Sequence, residues 1–120
     1  MVLECLGGPE PIVLEGEGML RMRDYTPAIR DWLAACAERA GRPLRRGLRS
    51  GFATDALIAL KAGYPTAVIA AIDDYKLAPH YHSRGDVAAR LDFRTVAACT
   101  EVCLEAVRSL SRPRPAPAPA

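Results

Sequence analysis

The chain has 120 residues, half of them hydrophobic and a quarter charged, with a formal net charge of only +2. That balance reads as one globular domain with an ordinary surface and makes no electrostatic case for nucleic acid. No run approaches the roughly 20 apolar residues that cross a bilayer. The start lacks a charged leader followed by a long apolar core, so a cytoplasmic location is expected.

Val2 to Leu6 is a short apolar run closed by Gly7-Gly8-Pro9. Pro11 to Leu14 and Met19 to Met22 are two further short runs, and with Glu15-Gly16-Glu17-Gly18 between them they predict a β-hairpin. Thr26-Pro27 opens a helix with a capping hydroxyl and a proline at its first position. Ile29, Trp32, Leu33, Cys36 and Ala40 then recur at helical spacing until Gly41. Arg42, Arg45, Arg46 and Arg49 follow without interleaved aromatics, which is the pattern of a solvated basic loop. Leu44 and Leu48 alternate within it as an edge strand would. Thr54-Asp55 leads into a short helix over residues 56–62, ended by Gly63.

Pro65 to Ile72 is a continuous run of Thr, Ala, Val and Ile, the pattern of a central strand buried on both faces of an α/β sheet. Pro79-His80-Tyr81-His82-Ser83-Arg84-Gly85-Asp86 follows it and gathers both histidines of the chain. A loop leaving the end of a strand can aim side chains at a metal or a substrate, although two histidines one residue apart read equally as exposed loop residues. Asp92 caps a last helix in which Phe93, Val96, Thr100, Cys103, Val107 and Leu110 form a stripe at alternating three and four spacing. That stripe is expected to be its packing face.

Cys5, Cys36, Cys99 and Cys103 include no Cys-x-x-Cys pair and read as small core residues. Cys99 and Cys103 would share one helix face, so a metal sensor using them with His80 and His82 is an alternative. Residues 1–110 therefore read as one domain, followed by a Pro/Ala-rich tail over 111–120 that cannot hydrogen-bond as helix or sheet and is expected to be disordered. Strands alternating with helices point to a three-layer α/β domain with a mixed sheet, whose ligands would collect at the carboxyl ends of the strands.

Read onward from residue 53, Ala-Thr-Asp-Ala-Leu-Ile-Ala-Leu-Lys-Ala-Gly-Tyr-Pro-Thr-Ala-Val-Ile, then Tyr-His-Ser-Arg-Gly-Asp, then Leu-Asp-Phe, resembles the carboxy-terminal half of the di-zinc aminopeptidases. That family of zinc-dependent exopeptidases includes glutaminyl cyclases and the transferrin-receptor ectodomain. The likeness covers residues 53–110 closely and Glu4 in outline. It implies a partial three-layer α/β/α exopeptidase-like domain and peptide-bond hydrolysis. His82 would be the imidazole ligand of one zinc, and Tyr81 the phenol that stabilises the oxyanion formed when water attacks the scissile carbonyl. Glu4, in Leu3-Glu4-Cys5-Leu6-Gly7, stands where the family has an aspartate ligand at the end of a strand. Asp55 and Asp86 would be supporting groups that hold the loops by hydrogen bonds.

The resemblance also implies what is missing. The family's His-x-Asp segment and adjacent Glu-Glu pair lie upstream of the strand that begins this chain, and Glu15-Gly16-Glu17-Gly18 is no substitute, because alternate carboxylates on a strand do not share one pocket. Glu4 and His82 are two ligands for a site that takes two zinc ions, and no general base accompanies them. The chain is therefore expected to be a fragment or truncated form, inactive alone, that acts on peptides once completed. Its Pro65 to Ile72 strand would expose an apolar edge and recruit a second copy or a complementing chain. The alternative is a non-catalytic interaction or oligomerisation module of the same fold.

Overall fold

Strand β6 (Val68–Ile72) is buried along its whole length and is the middle strand of a three-stranded sheet in the computed structural model, which describes residues 1–112. β1 (Val2–Glu4) runs parallel to it, with Glu4 opposite Ala70, and β2 (Glu10–Val13) runs antiparallel on its other side. A second small sheet has the order β4 (Arg23–Asp24), β3 (Gly16–Glu17), β5 (Arg49–Ser50). The helices are α1 (Pro27–Arg39), α2 (Ala56–Lys61) and α3 (Phe93–Ser111), with a 3-10 turn at Ala88–Arg90 before the last. The result is a mixed α/β fold with small mixed sheets. Among the described residues no helix is long and apolar enough to cross a membrane. The tail expected over 111–120 lies, beyond Arg112, outside the described residues.

Alternation along β6 accounts for the unbroken apolar run. Ala67 and Ile69 enter one core cluster with Val13, Leu33, Cys36, Ala37, Leu44, Cys99, Val102 and Ala106, beneath α1 and α3. Val68, Ala70 and Ile72 enter another with Ile12, Leu14, Tyr25 and Ala56, against α2 and the second sheet. A strand covered on both faces has no position at which a polar residue would be cheap. Helices α1 and α3 lie side by side, tied by Trp32 Nε1 to Ser109 Oγ (3.0 Å), Arg39 to Glu105 (2.8 Å) and Arg42 to Glu101 (2.7 Å). The two ion pairs are exposed and add little; the apolar seam beneath them holds the helices.

Several expectations need correction. Met19 to Met22 is the exposed turn between β3 and β4, and the Glu-Gly-Glu-Gly stretch read as the turn supplies β3. Side-chain burial decides this, because Glu17 is wholly buried whereas Leu20 is fully exposed. The Leu44 to Leu48 segment makes one parallel bridge, Arg45 to Ile12, and its strand β5 starts only at Arg49. Thr26 begins α1 as expected, but its hydroxyl accepts from the Thr66 N–H (3.3 Å) and does not cap the helix. At α2 the Thr54 hydroxyl, not Asp55, accepts from the Ala56 N–H (3.1 Å). The exposed edge does not belong to β6, which is paired on both sides; β1 and β2 are the outer strands, and β2 is bridged on its outer side by Arg45 at Ile12.

The last helix begins where expected, with the Asp92 carboxylate accepting from the Arg94 N–H (3.0 Å). Its core face is Thr95, Cys99, Val102 and Ala106. The stripe of Phe93, Val96, Thr100, Cys103, Val107 and Leu110 lies beside that face, and Phe93, Val107 and Leu110 are exposed. The Arg94 guanidinium and the amides of the first turn hold the Asp92 carboxyl below its ordinary value of 3.8. A depressed folded-state value means a contribution that is full above 3.8 and disappears as pH falls through the lower folded value. Asp92→Ala is expected to lower the midpoint of thermal unfolding by a few degrees at neutral pH. In calorimetric scans the gap from the parent chain should close under strong acid.

Candidate functional site

The parallel strands β1 and β6 end at the same edge of their sheet, and a cleft of about 520 Å³ opens there. Its floor is apolar, made by Ile12, Leu14 and the Ala70–Ile72 end of β6. One wall is the segment from Leu48 to Thr54, and the other is the loop after β6, through Lys76, Leu77, Ala78 and Tyr81. Glu4 and Cys5 stand at the end of β1. A cleft of this volume, apolar with few polar groups at its rim, is of the size that takes a small ligand or a peptide end.

The structure brings Glu4 and Tyr81 to one cleft. His82 does not line it; its ring stacks on the Tyr81 ring, with centroids 3.9 Å apart and planes 13° from parallel. Tyr81 also meets Phe52 across the cleft at 6.0 Å between ring centroids. The loop holding this pair is a series of turns: the Ser83 hydroxyl donates to the His80 carbonyl (2.8 Å) and accepts from the Gly85 N–H (3.1 Å), and the Asp86 N–H donates to the Ser83 carbonyl (3.1 Å). Asp86 is thus a turn residue, and its charge reaches the Cys5 thiol. Asp55 is exposed at the start of α2.

The four described non-glycine residues with left-handed backbone are Cys5, Lys76, His80 and His82, at φ of +49°, +63°, +61° and +50°. All four lie in the segments that leave β1 and β6 at the cleft, and two of them line it. Such conformations cost energy for residues with a Cβ and concentrate where side chains must be aimed. No comparable group occurs elsewhere among the described residues.

Electrostatics at the rim keep Cys5 protonated. Burial, the hydrogen bond its thiol donates to Glu4 Oε1 (3.3 Å), and the charges of Glu4 and Asp86 push it up to about 11. A thiol so raised is neither a nucleophile nor a ready thiolate ligand at neutral pH. Cys99 is likewise pushed up to about 11 by burial. Cys36 and Cys99 are core residues as expected, whereas Cys103 is only partly buried and Cys5 lines the cleft. Among the described residues no three His, Cys, Asp or Glu side chains converge where they could hold a metal ion. Glu4 and His82 alone do not make a zinc site.

Glu15 and Glu17, expected as turn residues, are buried carboxylates. Glu15 accepts from Arg46 Nε (2.7 Å) and from the Gly47 N–H (3.3 Å), and it pairs with Arg30. Glu17 accepts from the Thr54 N–H (2.6 Å), so it holds the end of one cleft wall from below. The buried Tyr25 phenol lies beside it, raised well above its ordinary value by burial and by the Glu17 charge. The only sequence signal for either carboxylate is the Glu-Gly-Glu-Gly pattern itself, which also fits a turn. Comparison of the chain with protein-family models, with curated proteins and with solved structures finds no match.

Proposed function

We propose that the chain is the carboxy-terminal portion of a zinc-dependent aminopeptidase-like hydrolase, contributing part of a peptide-cleaving site that other residues must complete. The observation that carries this reading is that Glu4, at the end of β1, and Tyr81, in the loop that follows the parallel strand β6, line one ligand-sized cleft. The strained backbone around that cleft supports it, as does the order of the Asp55 helix, the apolar strand and the Tyr-His-Ser loop. Helices on both faces of the β1-β6-β2 sheet agree with a partial three-layer α/β/α exopeptidase domain. In this reading the Tyr81 phenol would supply a donor for an oxyanion, with the stacked His82 ring fixing the phenol's direction, and Glu4 and His82 would each be one ligand of a different zinc ion, the remaining ligands coming from elsewhere. The apolar floor holds the substrate's side chain. The protein would work on peptides in the cytoplasm.

A second reading is a non-catalytic interaction module of the same fold, favoured by the lack of three converging metal donors among the described residues. Zinc calorimetry separates the two. The hydrolase reading expects these incomplete ligand sets to bind zinc only weakly, and that weak affinity to fall at least about tenfold further in His82→Ala and in Glu4→Ala, since even an outer-shell partner is worth that much. Absence of heat at every zinc concentration would leave the interaction module.

A further inference from the structure

Helix α3 has two apolar faces, and the described residues of its own chain cover only one. Thr95, Cys99, Val102 and Ala106 are buried against the sheet and α1. Roughly 100° round the helix lies the second face, Phe93, Val96, Thr100, Cys103, Val107 and Leu110. Phe93 is 62% exposed, Val107 57% and Leu110 74%. Met1 touches this face at Cys103, sulfur to sulfur at 4.0 Å, and shares a shallow apolar groove with Val107, Leu110, Ile29 and Trp32. None of the six is charged. Three-four spacing kept over the length of a helix is the spacing of a helix–helix seam.

The order of side-chain sizes says what fits. Read from either end the face runs large, medium, small, small, medium, large: Phe93, Val96, Thr100, Cys103, Val107, Leu110. An antiparallel two-fold pairing centred between Glu101 and Val102 sets Phe93 against Leu110 of a second copy, Val96 against Val107, and Thr100 against Cys103. Small residues then meet at the crossing point, where helix axes are closest, and large ones fill the ends, where helices inclined by about 20° diverge. Such self-complementarity is what a two-fold interface requires, whereas an unrelated partner would have no reason to find a palindrome.

The available area is that of a small interface. Nineteen residues make a helix about 28 Å long and about 10 Å wide. The strip contributed by two copies is therefore about 560 Å² before side-chain relief is counted; Phe93, Val107, Leu110, Leu104 and Met1, all 45% or more exposed, add to it, which is the size of a weak, concentration-dependent dimer. We propose that this face of α3 binds α3 of a second copy of the same chain, giving an antiparallel two-fold dimer. The proposal is independent of the hydrolase reading, because the seam includes neither Glu4, Tyr81 nor His82.

Sedimentation or light scattering of the full chain over micromolar to submillimolar concentration is expected to show a dimer. Val107→Glu is expected to give a folded monomer at the same concentrations, since Val107 is exposed in the single chain, while Leu20→Glu in the β3–β4 turn leaves the mass unchanged. Thr100→Cys should form an oxidised covalent dimer on a non-reducing gel, and adding Cys103→Ser should abolish it. A monomer at every concentration overturns the proposal and reserves the face for a different chain. A dimer indifferent to Val107→Glu, or a cross-link that survives Cys103→Ser, overturns it as well.

Discussion

Glu15→Ala is expected to lower the free energy of unfolding by about 3–5 kcal/mol, the cost of leaving a buried ion without its partner. Glu15 is 8% exposed, and its carboxylate meets two guanidinium groups from different parts of the chain, Arg30 on α1 and Arg46 in the segment after it. The Arg30 side chain is nearly as buried, and its Nε has no partner among the described residues even in the parent chain. Without the carboxylate the Arg30 cation keeps only the Glu15 main-chain carbonyl, at 3.3 Å. The Arg46 and Gly47 bonds that tie the arginine-rich segment to the second sheet vanish together with it. Urea unfolding checks this through a lower midpoint at unchanged slope. A loss below about 1 kcal/mol would mean that Arg30 reaches water. Replacing the carboxylate and Arg30 together by apolar residues of similar volume should recover most of the loss, because the cost lies in the orphaned charge.

Ile69→Ala is expected to destabilise by about 2–5 kcal/mol. Ile69 has no exposed surface, sits in the central strand between Leu3 and Val13, and faces the cluster formed with α1 and α3. It shares that cluster with Leu33 and Cys36 on α1 and Cys99 and Val102 on α3, two helices that cannot both move inward, so a cavity would remain. Thermal unfolding followed by circular dichroism checks it. Leu3→Ala, on the edge strand opposite Ile69 but 45% exposed, should cost far less, and the contrast tests whether β6 is the pivot of the fold.

Much of the architecture was legible from local pattern. The unbroken apolar run ending at Ile72 announced a strand covered on both faces, because only full burial tolerates apolar residues at every position. Pro27, the spacing of Leu33 and Cys36, and Gly41 bounded α1 within a residue or two. Asp92 announced the start of α3 through a bond made between near neighbours in sequence. The loop with His80, Tyr81 and His82 stood out by composition, and it borders the cleft.

Other features were hidden for identifiable reasons. The stripe on α3 was found by its spacing, but spacing cannot tell a face turned to the core from one turned outward, and the small residues Thr95, Cys99 and Ala106 carry little apolar signal though they are the buried ones. The hairpin was misplaced because Glu15 and Glu17 look like turn residues until their partners, Arg30, Arg46 and the Thr54 amide, arrive from distant segments. The Thr26 hydroxyl has two places to bond, and it serves the Thr66 N–H just ahead of β6 rather than the first turn of its own helix.

The amino-acid sequence by itself determined where the chain bends, caps and buries: proline, glycine and aspartate act on backbone groups within a few residues, and apolar periodicity acts over one or two turns. The tertiary structure alone decided which carboxylates are buried, which edge of the sheet is free, which face of α3 is spare, and that Glu4 and Tyr81 share a cleft that His82 only borders. Those outcomes depend on what is packed against each group, and the partners lie tens of residues away, where no local pattern records them.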